Sequence, residues 1–414
     1  MVLPRPRFRI YTNTKSYLTV FKDITFGTKN KGDDCNILEK EVQKRFGVEK
    51  SVCAPQARVG IYFALKALIK PGQEVILSPY TIADVINMVI NAEAKPVFAD
   101  TERETCNIDP KEIEKLITEN TGAVMVTHLH GLACPMDEIM EICKKHNVPV
   151  VEDSCQAFGA KYKGKRTGTI GDAGIFSFGM YKNLIAFYGG MVVTNREDIY
   201  EKVRNEAKGL PYSETSWFFK KFAKGLASDI ATATPFFQSM VFWIFKFGHL
   251  KNINAINKFV NTELDLSQHS KMRENYLRQM TPMQARVALD KFDTVDPNNE
   301  ARIKNAQIYH DGLKDIKQLI LPPLRTDGSH IYTYYPLQYD DRMELVRFMT
   351  ANNCDIGVQH IKNTADLPSF KEFYRDCPNA RATAEAVILL PSYPRYGEDM
   401  IKKNIAVIRE FFKK

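Results

Sequence analysis

The chain has 414 residues, 44% of them hydrophobic and 26% charged, and a net charge of +8. That length and composition suit a globular protein with one large and one small domain, and they exclude a disordered or low-complexity chain. The basic excess is modest and scattered and carries no zinc-finger or RNA-binding signature, so nucleic acid is not an expected partner. An anionic substrate or an anionic membrane surface remains compatible with it.

The eight cysteines are widely spaced and form no CxxC pair, which reads as reduced thiols and predicts no metal site. The N-terminal run Met1-Val2-Leu3-Pro4-Arg5-Pro6-Arg7 lacks an apolar signal core, so a cytoplasmic protein is expected.

From Leu38 to Thr194, helical and strand-like segments alternate. Leu38 to Phe46 has helical spacing and stops at Gly47, and Ala57 to Ile69 is a second helix stopped by Pro71-Gly72. Glu74 to Ser78 reads as a strand, Ala83 to Ala92 as a helix and Pro96 to Asp100 as a strand. Pro110 to Thr118 reads as a helix with Asp109 as its cap, Ala123 to Thr127 as a strand, and Met136 to His146 as a helix. Val148 to Asp153 is a buried strand with an acid at its end. The apolar run before Phe178 is another, and Gly190 to Thr194 a third. Short β-branched runs between helices predict a mainly parallel sheet covered on both faces.

The pattern breaks after Glu206. Gly209 to His269 is aromatic and basic, and Phe236, Met240, Ile244 and Phe247 repeat at helical spacing with Lys220, Lys221, Lys224, Lys246 and Lys251 flanking them. The preferred reading is a lid or dimer-packing helix. The alternative is a helix lying in a membrane interface, since Met240 to Phe245 is far too short to span a bilayer. Further on, Thr281 to Phe292, Asn298 to Leu313, Met343 to Asn352 and Asp399 to Phe412 read as helices, and His330 to Gln338 and Ile356 to Val358 as strands. The expected organisation is an N-terminal segment (1–34), a large α/β domain (35–208), an insertion (209–271), a return to the large domain (272–299) and a small α+β domain (300–414).

Lys182 stands out. It follows a strand in GIFSFGMYKNL, while Asp153 ends another strand in VVED, with Gln156 and Ser177 on strand ends or the loops after them. A lysine and an acid so placed are what pyridoxal phosphate chemistry requires: the amine holds the aldehyde as a Schiff base, and the acid keeps the ring nitrogen protonated.

The run Val150 to Asn195, VVEDSCQAFGAKYKGKRTGTIGDAGIFSFGMYKNLIAFYGGMVVTN, resembles the DegT/DnrJ/StrS family of pyridoxal-phosphate sugar aminotransferases, whose pattern is "EDxAQAxGA" followed by "GDxGxFSFxxxKNxxxGEGG". The likeness extends to the PGQEV, SPYT, AKPVFAD, NIDP, HLHG and LPSYP segments, most of the chain outside the aromatic insertion. The resemblance implies the fold-type I aspartate aminotransferase architecture and a homodimer. It implies Lys182 as catalytic residue and proton shuttle, Asp153 on the ring nitrogen, Gln156 on the ring hydroxyl and Ser177 on the phosphate. The helix start at Ala57 would add phosphate contacts, and Arg58, where the family often has a small hydroxyl residue, would either clamp the phosphate or face solvent.

Three positions depart from the pattern: Ile82 stands where a ring-covering residue is expected, Tyr188 replaces the usual glutamate, and the cross-dimer asparagine of "NxRM" is missing from Tyr276-Leu277-Arg278-Gln279-Met280. Ile82 can pack on a ring but cannot stack. His128, His130, Tyr188, His360 and Arg395 are candidate substrate contacts. The expected activity is transfer of an amino group from an amino acid, glutamate by resemblance, to a keto-sugar carried on a nucleotide. The alternatives are a lipid-linked or other keto acceptor, or a non-catalytic regulatory protein on this fold. Family dehydratases carry histidine in place of the lysine, so Lys182 argues against dehydration.

Overall fold

The computed structural model describes residues 3–256 and 265–413. Its first helix, α1 (Thr14–Thr25), carries no clear sequence signal beyond Asn13, whose side chain accepts the Ser16 N–H at 2.8 Å as an N-cap. Helix α2 (Asp34–Phe46) begins a turn earlier than the apolar spacing suggests and ends as expected at Gly47, with φ 67. There follow β1 (Lys50–Ala54), α3 (Ala57–Leu68), β2 (Glu74–Leu77), β3 (Tyr80–Thr81), α4 (Ala83–Asn91), β4 (Lys95–Phe98) and α5 (Pro110–Leu116). Asp109 caps α5 by accepting the Lys111 N–H at 2.9 Å. Then come β5 (Thr121–Thr127), α6 (Met136–Lys145), β6 (Val150–Asp153), a small ribbon of β7 (Lys161–Tyr162) and β8 (Lys165–Arg166), β9 (Ala173–Ser177), β10 (Gly190–Thr194) and α7 (Glu197–Lys208).

Seven strands form the central sheet in the order β1-β10-β9-β6-β5-β2-β4. β9, β6, β5, β2 and β4 run parallel, and β10 alone runs against both its neighbours, so the sheet is mainly parallel, as the alternation predicts. Successive residues on each strand enter different cores. Val75, Leu77, Ala123, Met125 and Val151 pack with α3 and α4, whereas Ile76, Val124, Val126 and Val150 pack with α5 and α6. The period-2 alternation of a strand thus divides the buried chain between two helical layers.

A second core gathers around the antiparallel sheet of β11 (Tyr335–Gln338), β14 (Val387–Leu390) and β12 (Gly357–Val358), packed by helices Val295–Leu313, Arg342–Ala351 and Glu398–Phe411. The strand expected over His330 to Gln338 is shorter. Tyr332 turns the backbone at φ 46, and Ile331 and Thr333 instead donate to the carbonyls of Gly131 and His130 at 2.9 and 3.0 Å. The helix expected over Thr281 to Phe292 runs only Pro282–Leu289, where Thr281 and Gln284 form a capping box. A short antiparallel pair, β13 (Lys362–Asn363) on β3, ties the second half of the chain to the edge of the first.

The aromatic segment folds as α8 (Thr215–Ala231), α9 (Thr234–Phe236), a π-helical turn (Phe237–Val241) and α10 (Phe242–Leu250). Phe237, Val241 and Phe242 are buried, but the residues whose helical spacing drew attention are open: Phe236 is 40%, Met240 45%, Ile244 44% and Phe247 56% exposed. No helix among the described residues is long and apolar enough to cross a membrane. The tail of the segment predicted to 269 includes residues 257–264, which lie outside the described residues.

Candidate active site

Two adjacent acids end β6, and strand alternation sends them opposite ways. Glu152 follows Val150 to the α5–α6 side and is fully buried. Its Oε2 accepts His128 Nε2–H at 3.0 Å and Gly168 N–H at 2.8 Å, and its Oε1 accepts Ile170 and Gly171 N–H, both at 2.6 Å. It anchors the loop leading into β9. Asp153 follows Val151 to the α3 side, accepts one backbone N–H from Cys155 at 3.0 Å, and opens onto a cavity of about 280 Å³.

The neighbouring strands finish the cavity. Ser177 at the end of β9 pairs in register with Gly190, which starts β10. A Cβ on Gly190 would stand 2.5 Å from Ala57 N, so only glycine lets the start of α3 approach the sheet this closely. Gln56, the residue before α3, offers no side-chain cap, leaving the first amides of that helix pointing at the cavity beside Ser177. Between β9 and β10 the chain makes an excursion closed by Phe178 N–H to Gly189 O at 3.0 Å and Ala186 N–H to Phe178 O at 2.9 Å. Leu184, Ile185 and Ala186 bury its far side, and Lys182 is turned into the cavity. Its ε-amine makes no ion pair or hydrogen bond among the described residues.

Ala57, Arg58, Ile82, Asp153, Gln156, Ser177, Lys182 and Tyr188, all named from sequence, line this one cavity. Gln156 is oriented by the backbone: its Oε1 accepts His130 N–H at 3.0 Å, which leaves its amide NH₂ as the group available to the cavity. The Arg58 side chain is partly exposed but does not stand as a free cation. Its guanidinium is paired with Asp84 and donates to the Tyr276 hydroxyl at 3.0 Å. Tyr188 packs edge-on against Trp217 at 4.9 Å, with Lys221 Nζ 4.9 Å from its ring centre, and burial raises its phenol pKa.

The other candidates lie elsewhere, which corrects the expectation for the HLHG histidines. Thr127 reaches the cavity, but the next residue, His128, is turned into the interior, where its Nδ1 accepts Cys134 N–H at 3.0 Å. His130 is buried at φ 55, with no hydrogen-bond partner on either ring nitrogen among the described residues, and burial pushes its pKa down to about 4. In this chain His360 faces Arg7, Lys362 and Arg342, and burial followed by these cations lowers its pKa, while its neighbour Ile361 lines the cavity. Arg395 is exposed near Lys291 and does not reach the cavity. Sequence reasoning missed Met180, Cys155 and Ile361 as wall residues. The first two lie inside the recognised motif, whereas Ile361 arrives through the β3–β13 pairing, which no local signal announces.

The DegT/DnrJ/EryC1/StrS aminotransferase family model matches residues 16–223 and 251–409. The chain belongs to this family. The aminotransferase is 30% identical over 409 residues to GDP-perosamine synthase of Vibrio cholerae, covering 97% of this chain and 96% of the relative. It is 28% identical over 414 residues to the spore coat polysaccharide biosynthesis protein SpsC of Bacillus subtilis, covering 95% and 93%. Its fold matches the X-ray structure of the aminotransferase from Psychrobacter cryohalolentis with a TM-score of 0.76 at 23% identity, over 97% of each chain, which establishes the fold-type I architecture. The unmatched stretch, 224–250, is the end of α8 together with α9, the π turn and α10.

Proposed function

We propose that this aminotransferase holds pyridoxal 5'-phosphate in the 280 Å³ cavity and moves an amino group from an amino acid, glutamate in this reading, to a keto-sugar carried on a nucleotide. The observation that carries the reading is the convergence of Lys182, Asp153, Gln156, Ser177 and the uncapped start of α3 on one space. The donor set fits the cofactor. At one end, the Gly190 gap, the Ser177 hydroxyl and the α3 amides make a phosphate cradle that a single Cβ would fill. At the other, Asp153 accepts one backbone N–H among the described residues, that of Cys155, and retains acceptor capacity for a ring N–H.

Bound there, the cofactor supplies a carbonyl that condenses with amines and a ring that takes up electron density released at carbon. The protein supplies the rest. Asp153 holds a proton on the ring nitrogen, and the Gln156 amide donates to the ring oxygen. The macrodipole of α3 and its open N–H groups hold the phosphate. Lys182, whose amine has no ion pair among the described residues, would take up at Nζ the proton leaving the donor carbon and deliver it to the cofactor's carbonyl-derived carbon within the same half-reaction, with the path reversed when the acceptor is aminated. Ile82 packs on a ring face. Arg58, neutralised by Asp84, shapes the phosphate end without adding net charge.

A nucleotide-linked acceptor is supported by the relative named GDP-perosamine synthase and by the net charge of +8, which suits a diphosphate. The reading includes a homodimer acting in the cytoplasm. The test is a half-reaction: purified protein loaded with pyridoxal phosphate is mixed with L-glutamate. A shift in the visible absorbance of the bound cofactor with one equivalent of 2-oxoglutarate is expected, followed by reversal with the right nucleotide keto-sugar. Absence of any shift with glutamate or other amino donors overturns the reading.

A further inference from the structure

The segment outside the family match is apolar on two opposite faces. One face, formed by Phe237, Val241 and Phe242, is buried. The other presents Phe236, Met240, Trp243, Ile244 and Phe247, exposed by 40, 45, 44, 44 and 56%, along a single stripe through α9, the π turn and α10. Phe219 and Ile230 on α8 are 58 and 54% exposed. A helix apolar all round is normally covered, and contiguous exposed patches of this kind mark contact surfaces.

The charge around the patch says what covers it. From Thr215 to Lys251 the chain carries five lysines and one acid, Asp229. That acid is consumed internally: Arg9 pairs with it at 3.0 Å, and the Thr12 and Tyr17 hydroxyls donate to it at 2.5 and 3.0 Å. Lys246 is also used, donating to Ala351 O at 2.7 Å and Asn353 Oδ1 at 2.5 Å, which fixes α10 to the second half of the chain. Lys220, Lys224 and Lys251 remain exposed without a carboxylate partner among the described residues. A contact between copies centred on this patch would set its lysines against one another. A surface bearing anionic headgroups over an apolar interior satisfies both the lysines and the aromatics.

We propose that α8, α9 and α10 form a docking face for an anionic lipid bilayer, with the aromatic stripe inserted at the headgroup boundary and Lys220, Lys224 and Lys251 on the headgroups. Through Trp217 and Lys221 on α8, which pack on Tyr188, the face is joined to the wall of the active-site cavity, so docking holds that cavity beside the membrane. The inference does not depend on the transamination chemistry.

The experiment is co-sedimentation of the full-length protein with vesicles of phosphatidylglycerol and phosphatidylcholine, or of phosphatidylcholine alone, at low and high salt. Binding is expected to the anionic vesicles and to weaken with salt. Met240→Glu with Phe247→Glu should weaken it by about tenfold or more, because large apolar side chains no longer leave water. Lys220→Glu with Lys224→Glu should abolish the preference for anionic lipid. All four side chains are exposed, so circular dichroism and the glutamate half-reaction should stay at wild-type values. Absence of binding to anionic vesicles overturns the proposal. So does light scattering that shows Met240→Glu with Phe247→Glu splitting a wild-type oligomer while neither form binds vesicles, because the face is then a contact between copies.

Discussion

Glu152 and Asp153 are neighbours of like charge, yet the fold assigns them separable tasks, and matched amide substitutions should divide those tasks cleanly. Glu152→Gln replaces one carboxylate oxygen by an NH₂ group. Each oxygen accepts two donors, so either orientation sets a donor against two others, at His128 and Gly168 or at Ile170 and Gly171. At about 1–3 kcal/mol for each buried donor left unsatisfied, the cost is about 2–6 kcal/mol. With an unfolding entropy of about 2.1 cal/mol/K per residue over 414 residues, that lowers Tm by about 2–7 °C. Asp153→Asn keeps an oxygen for the single Cys155 N–H and should shift Tm by about 1 °C at most. It should still lower the rate of the glutamate half-reaction by about 10²–10³-fold, the usual loss when one preorganised charge-stabilising group is removed. Differential scanning calorimetry and stopped-flow absorbance on the two variants provide the comparison. If Asp153→Asn unfolds as early as Glu152→Gln, or transaminates at the wild-type rate, the division of labour argued from strand alternation is wrong.

Four further outcomes follow. Lys182→Ala removes an amine with no hydrogen bond or ion pair among the described residues, so its stability should stay within about 0.5 kcal/mol of wild type while borohydride reduction no longer attaches cofactor to the 182 peptide and the half-reaction stops. Gly190→Ala places a Cβ 2.5 Å from Ala57 N and should weaken cofactor binding by about tenfold or more in an absorbance titration. Arg58→Ala removes the guanidinium that neutralises Asp84 behind the cavity wall and should weaken cofactor binding, whereas adding Asp84→Asn should restore it; no rescue in the double variant would show that Arg58 itself holds the phosphate. Burial lowers the pKa of His130 to about 4, and burial together with His130 lowers that of His330 to about 3, both from 6.5. The unfolded chain then binds protons that the native state refuses, so stability is complete above about pH 6.5 and falls with acid toward about pH 4, with a slope approaching about 1.4 kcal/mol per pH unit for each histidine. His130→Asn, which suits the positive φ, should remove about one histidine's share of that slope in urea titrations at several pH values, and an unchanged slope would contradict the assignment.

The sequence by itself determined what rests on short range. Runs of β-branched residues broken by proline and glycine set the alternation of strands and helices, and the strand ends placed Lys182, Asp153, Gln156 and Ser177 within one local motif. The parting of Glu152 from Asp153 was also latent there, since a strand's side chains alternate. Tertiary structure decided what depends on distant partners. Asp84 and Tyr276 claimed Arg58, Glu152 drew His128 inward, and the pairing of β3 with β13 carried Ile361 to the cavity. The aromatic stripe shows the limit most clearly: helical spacing makes Phe236, Met240, Ile244 and Phe247 a face, but the same spacing serves a core and a surface equally, and only the packing of the remaining chain left that face open to water.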